Sequence, residues 1–234
     1  MTSNLIRIKV TGEFACFTRP EAKVERVSYP LPTPSAARNI FDSICWRPEM
    51  RWVVTKISVL QPIRYISIRR NEVQSKISPA TVKSWMSDPS RYEPLAAGAG
   101  SNTDGTPRTS LLLRDVAYIL EAYPVVFEQS GDNTRMKYES MLQRRVEKGQ
   151  CFQRPFLGCR EFAANFSLPS EDDKPIPVTE DLGRMLYDII FRPDGNQAVF
   201  FDAKLTEGVM DTRPESVLAD EARRREVLRC SYRR

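Results

Sequence analysis

Apolar periodicity along this 234-residue chain switches between period two and period 3.6 in a set order, and that order limits the available folds more than any other feature. Ile6, Ile8 and Val10 alternate with Arg7 and Lys9, which predicts a strand over 5–17. Thr33-Pro34 is a helix start: a good N-cap followed by a proline at the first helical position. Ala36, Ala37, Ile40, Phe41 and Ile44 then form an apolar stripe. Residues 51–60 and 63–70 predict two strands separated by Pro62. From about 86 to 109 the composition predicts the most flexible stretch, and its glycines lack the spacing of a phosphate-binding loop. A strand over 110–123, a helix over 134–149 ending at Gly149 and a strand over 156–167 follow. The order β-α-β-β, β-α-β approaches a ferredoxin-like unit with one extra strand, an α+β class. Strands at 184–192 and 198–205 flank Pro193-Asp194-Gly195-Asn196, a hairpin turn, and predict a small antiparallel β domain. The expected division is 1–167, 168–214 and a charged tail at 215–234, helical or disordered.

The chain contains no histidine, so serine–histidine and cysteine–histidine nucleophilic sites and histidine-based zinc sites are excluded. Acid–base chemistry must use Lys, Tyr, Cys, Asp or Glu. The five cysteines, at 16, 45, 151, 159 and 230, show no Cys-x-x-Cys spacing and fit reduced thiols in a cytoplasm. No apolar run approaches the ~18 residues of a membrane helix, and the N-terminus lacks the pattern of a secretory signal. A net charge of +5 points weakly to a polyanionic partner.

Several segments together carry a specific resemblance. They include Gly-Glu-Phe-Ala-Cys-Phe-Thr-Arg-Pro-Glu at 12–21, Lys-Val-Glu-Arg-Val-Ser-Tyr at 23–29, Thr-Pro-Ser-Ala-Ala-Arg at 33–38 and Ile-Cys-Trp-Arg-Pro at 44–48. Further along stand Val-Leu-Gln-Pro-Ile at 59–63, Arg-Arg-Asn-Glu-Val at 69–73, Leu-Arg-Asp-Val at 113–116, Leu-Gly-Cys-Arg-Glu-Phe at 157–162 and Gly-Val at 208–209. Over about residues 5–211 the chain resembles the Cas-five subunit of subtype I-C CRISPR systems, the "d" branch. The resemblance implies a ferredoxin-like, RRM-related domain followed by a small antiparallel β domain. It also implies an endoribonuclease that cuts the CRISPR repeat RNA at the 3′ base of its hairpin and stays on the 5′ handle. Such a subunit sits in the Cascade complex with backbone and large subunits. Its cut needs no metal or other cofactor: the RNA's own 2′-hydroxyl attacks and leaves a 2′,3′-cyclic phosphate.

The family's site places an aromatic residue or histidine before the Trp of the first helix and a Lys-His pair at the start of the second. Carried over, those positions are Cys45, Lys137 and Tyr138, so only the lysine matches. Lys137 can stabilise charge on the phosphorane. Tyr138 can hydrogen-bond a reacting oxygen, and Cys45 can act as a base only if its pKa is depressed. Each also has a packing reading, as a core cysteine, a buried tyrosine and a plain phosphate contact. Arg7, Lys9, Arg69, Arg70, Arg144, Arg145 and Lys148 are the candidate RNA-binding residues, with Arg69 and Arg70 equally readable as solvated charge. Tyr29 and Trp46 read either as base-stacking or as core aromatics. Non-specific DNA binding is a further partner the charge allows; a membrane is not. The competing functions are a non-catalytic scaffold gripping the 5′ handle and a metal-dependent DNase built on Asp172-Asp173.

Overall fold

In the computed structural model of the chain, residues 5–22, 24–73, 76–92, 105–127 and 134–229 are described. Strand β1 (Ile6–Ala15) leads to helix α1 (Pro34–Ile44), where the Thr33 hydroxyl accepts the Ala36 N–H as the cap residues predict. Strands β2 (Met50–Val59) and β3 (Tyr65–Val73) follow, then helix α2 (Pro79–Ser87) and a short 3₁₀ turn at Pro89–Arg91. Strand β4 (Gly105–Val126), helix α3 (Arg135–Glu147) and strand β5 (Asn165–Ser167) come next. The chain then forms β6 (Glu180–Ile190), β7 (Gln197–Thr206), β8 (Val209–Asp211) and the helices α4 (Pro214–Val217) and α5 (Glu221–Arg229).

The 22-residue β4 is the spine of an antiparallel eight-stranded sheet ordered β5-β1-β4-β2-β8-β7-β6. It pairs with β1 from Ile6↔Ala122 to Ala15↔Leu113 and with β2 from Met50↔Val126 to Val59↔Tyr118. Strand β3 continues along β4 from Tyr65↔Leu113 to Val73↔Gly105 in nearly the register that β2 leaves. Leu60 N–H donates to Ala117 O and Arg114 N–H to Arg64 O, which brackets the break forced by Pro62. The β6–β7 hairpin joins this sheet through β8, whose Asp211, Met210 and Val209 pair with Lys56, Ile57 and Ser58 of β2.

Helices α1 and α3 pack together over the face of the sheet that carries Ile8, Val10, Val54 and Leu120, all in the core. Trp52 is fully buried, stacks on Phe41 at 5.5 Å and donates its indole N–H to Cys45 O at 2.7 Å. Burial of aromatic rings of this size contributes on the order of 2–3 kcal/mol each. The hairpin is also pinned through Asp188 of β6. This buried carboxylate accepts from Arg38 of α1 and from Arg51 of β2 at 2.6 Å.

Two expectations change, and one stated alternative is decided. The stretch expected to be flexible from 86 to 109 begins in the end of α2 and finishes in β4; residues 93–104 lie outside the described residues. Helix α2 starts at Ser78-Pro79, the same signature as Thr33-Pro34. Only 165–167 of the predicted 156–167 strand is extended. Before it the chain turns, with Phe162 N–H donating to Cys159 O and Gly158 at φ +83° pressed on the Cys16 carbonyl. The charged C-terminal stretch is helical in α4 and α5, up to Arg229. No helix among the described residues is long and apolar enough to cross a membrane.

Candidate active site

Thr134 caps α3, its hydroxyl accepting the Lys137 N–H, and so sets Lys137 in the first turn with its side chain exposed. The next residue, Tyr138, falls on the apolar side of α3 and is fully buried. Helix α1 ends at Cys45, whose N–H reaches back to Phe41 O; the chain then turns through Trp46, Arg47, Pro48 and Glu49 into β2. Two contacts lock this exit to α3. Arg145 donates to Ile44 O at 2.5 Å, and the Tyr138 hydroxyl donates to Glu49 Oε1 at 2.7 Å. The Lys137 ammonium stands 5.6 Å from the centre of the Tyr138 ring. The start of α3, with Lys137 and Tyr138, is thus held against the α1 exit, where Glu49 bonds to Tyr138 and Cys45 acts on its phenol electrostatically.

The electrostatics assign distinct protonation states. Burial pushes the Cys45 thiol up, only partly offset by Arg145 and Arg47, so it is neutral at physiological pH. Burial and the Glu49 carboxylate raise Tyr138 to about 12, so it stays a hydrogen-bond donor. The same hydrogen bond lowers Glu49, with Arg47 and Lys137 adding to the effect, and Glu49 is a carboxylate. Sequence reasoning missed Glu49. It lies in the Trp-Arg-Pro-Glu turn, and only the fold brings it to α3.

The candidate RNA-binding residues fall on three surfaces. Arg144, Arg145 and Lys148 continue from Lys137 along α3, with Arg145 turned in toward α1. Arg7 and Lys9 alternate with core residues of β1 and so face away from the helices; they pair with Glu121 at 4.0 Å and Asp173 at 2.5 Å. Arg69 is exposed on β3, and Arg70 pairs with Glu161. Tyr29 is a core residue, 2% exposed, while Trp46 is 41% exposed beside the site. Asp173 is engaged by Lys9 and by the Ser170 N–H.

Solved structures share this α/β fold with its antiparallel sheet. A solved CRISPR-associated protein aligns with a TM-score of 0.63 at 23% identity, covering 92% of this chain and 94% of that one. SMU1763c from Streptococcus mutans, a functionally uncharacterized protein, aligns with a TM-score of 0.62 at 21% identity over the same shares of each chain. The chain belongs to the CRISPR-associated protein (Cas_Cas5) family, whose Cas5d model matches residues 5–227. Two curated relatives are each named CRISPR pre-crRNA endoribonuclease Cas5d. The one from Mannheimia succiniciproducens is 44% identical over 231 residues, 95% of this chain and 100% of the relative. The one from Thermus thermophilus is 37% identical over 228 residues, 90% and 92%.

Proposed function

We propose that this chain is a metal-independent endoribonuclease of CRISPR pre-crRNA. It cuts the repeat at the base of its hairpin by attack of the RNA's own 2′-hydroxyl and stays on the 5′ handle within a Cascade complex. What supports this is the meeting of Lys137 with Tyr138 and Glu49 at the α1 exit, in a chain whose relatives carry that name.

In this proposal the exposed Lys137 ammonium faces the scissile phosphate and stabilises the charge that builds on the phosphorane. Glu49 takes the 2′-hydroxyl proton, the task a histidine would otherwise perform. The Tyr138 hydroxyl holds the Glu49 carboxylate in place, and Cys45 contributes a neutral thiol to the floor beneath. Arg144, Arg145 and Lys148 carry the phosphates away along α3, and Arg69, Arg70, Arg7 and Lys9 are further contacts on β3 and β1. RNA duplexes are held mainly by such shape and phosphate contacts. The ferredoxin-like, RRM-related reading is part of the proposal. The order β5-β1-β4-β2, its antiparallel neighbours and the two packed helices support it.

The test is incubation of the purified protein with its cognate repeat RNA in EDTA, with product ends identified by mass spectrometry. A 2′,3′-cyclic phosphate product is expected. Lys137→Ala should abolish cleavage while shifting affinity by only a few-fold, since one phosphate contact among many is lost. Tight binding with no product from the native chain would establish the scaffold reading instead, which the departure of Cys45 and Tyr138 from the family's site favours.

A further inference from the structure

Away from this site, the end of β1 and the turn at 156–162 press two cysteines together. The Cys16 N–H donates to Leu157 O at 3.0 Å, and Cys159 Sγ lies 3.7 Å from Cys16 O. Each thiol lies within electrostatic reach of the other. Gly158 has no side chain to hold the strands apart: a Cβ there would stand 2.0 Å from Cys16 O. Arg26 completes the group, with Nη1 3.4 Å from Cys159 Sγ. Cys16 is fully buried, whereas Cys159 is partly exposed. A cleft of about 290 Å³ reaches Cys16 and the neighbouring Gly158, with Thr18 and Phe156 also in its lining.

We infer that Cys16 and Cys159 form an oxidation site, in which Cys159 is the reactive thiol, Cys16 the resolving thiol, and a hydroperoxide the co-substrate. The roles follow from placement. Cys159 is the accessible partner and has a guanidinium against its sulfur, the setting of a reactive cysteine. The Cys16 thiol and Arg26 beside it draw Cys159 below the usual thiol range against the opposing effect of burial, while Cys159 and burial push Cys16 up. The chemistry balances in two steps. The Cys159 thiolate attacks one peroxide oxygen and becomes a sulfenic acid as hydroxide (or alkoxide) leaves. The Cys16 sulfur then attacks the sulfenic sulfur; its proton and the departing hydroxyl leave as water, and the S–S bond forms. Two electrons pass from the thiols to the peroxide. The bond ties β1 to the loop whose Phe152 and Gln153 N–H groups both hold Ser43 O in the last turn of α1.

The test treats the full chain with a few equivalents of hydrogen peroxide, then alkylates it and maps peptides under non-reducing conditions. A Cys151→Ser background is used, because the trypsin-resistant Arg154-Pro155 bond leaves Cys151 and Cys159 in one peptide. The expected result is a Cys16–Cys159 cross-link two hydrogens lighter than the sum of its peptides. Arg26→Ala should form it at least threefold more slowly at unchanged melting temperature. Cys16→Ser should instead leave a dimedone-reactive sulfenic acid on Cys159. Recovery of Cys159 as a free thiol after full peroxide consumption, or as a sulfinic acid with no cross-link, would overturn the assignment.

Discussion

Replacing Glu49 with Gln separates the base role from a structural one, because the two roles predict opposite patterns across three measurements. Gln keeps a carbonyl oxygen where Oε1 accepts the Tyr138 hydroxyl at 2.7 Å, so the contact that joins α3 to the α1 exit survives in neutral form. A hydrogen bond to a charged acceptor contributes about 1.5–3 kcal/mol and a neutral one about 0.5–1.5, so the stability loss is on the order of 1 kcal/mol. For a chain of this size that lowers Tm by roughly 2–4 °C. Affinity for the repeat RNA should hold or rise slightly, since a negative charge leaves the neighbourhood of a phosphate. Single-turnover cleavage in EDTA should fall by about 10²–10⁴, the usual contribution of a positioned general base. Tyr138→Phe supplies the second arm. It removes the leading cause of the lowered Glu49 pKa, so that pKa rises and the acid limb of the rate profile moves to higher pH. A Glu49→Gln protein that cleaves within threefold of the native rate, or an acid limb that stays in place in Tyr138→Phe, would refute the role.

Asp188→Ala should cost about 3–5 kcal/mol, because it removes the buried carboxylate that the Arg38 and Arg51 guanidinium groups share; a Tm within ~2 °C of native in a thermal melt would contradict this. Gly158→Ala should destabilise by at least ~2 kcal/mol, combining left-handed backbone with a Cβ driven into Cys16 O. Gly149→Ala, also at positive φ but with open space, should cost measurably less in the same urea titration. Asp42→Asn should stabilise the chain at pH 7.5 by up to ~3 kcal/mol and leave it unchanged near pH 4, read by Tm against pH. Burial raises Asp42 to about 6 in the fold, so its favourable contribution lies below the unfolded value of 3.8 and is lost as pH rises through 6.

The elements that could be read from the sequence are those in which local chemistry and burial agree. Thr33-Pro34 starts α1 where the hydroxyl does accept the Ala36 N–H, and Pro62 breaks the β2–β3 path as it must. Helix α2 carries the same Ser78-Pro79 start, but it has no buried residues, so no apolar stripe announced it. The 156–167 segment failed in the opposite way. Its alternating Phe162, Ala164 and Phe166 look like a strand, but Gly158 against Cys16 turns the chain first, and that contact spans 142 residues. The same distance in sequence hid part of the site. Lys137, Tyr138 and Cys45 came from the family resemblance, but nothing local to Trp-Arg-Pro-Glu says that its glutamate will meet a tyrosine 89 positions on. A chain without histidine needs some other group to move a proton. Residue types restrict that group to a few kinds, whereas its position depends on how α1 ends and α3 begins. Arg145 closing on Ile44 O is what brings those two ends together, so the chemistry proposed here depends on a packing contact as much as on the residues that would react.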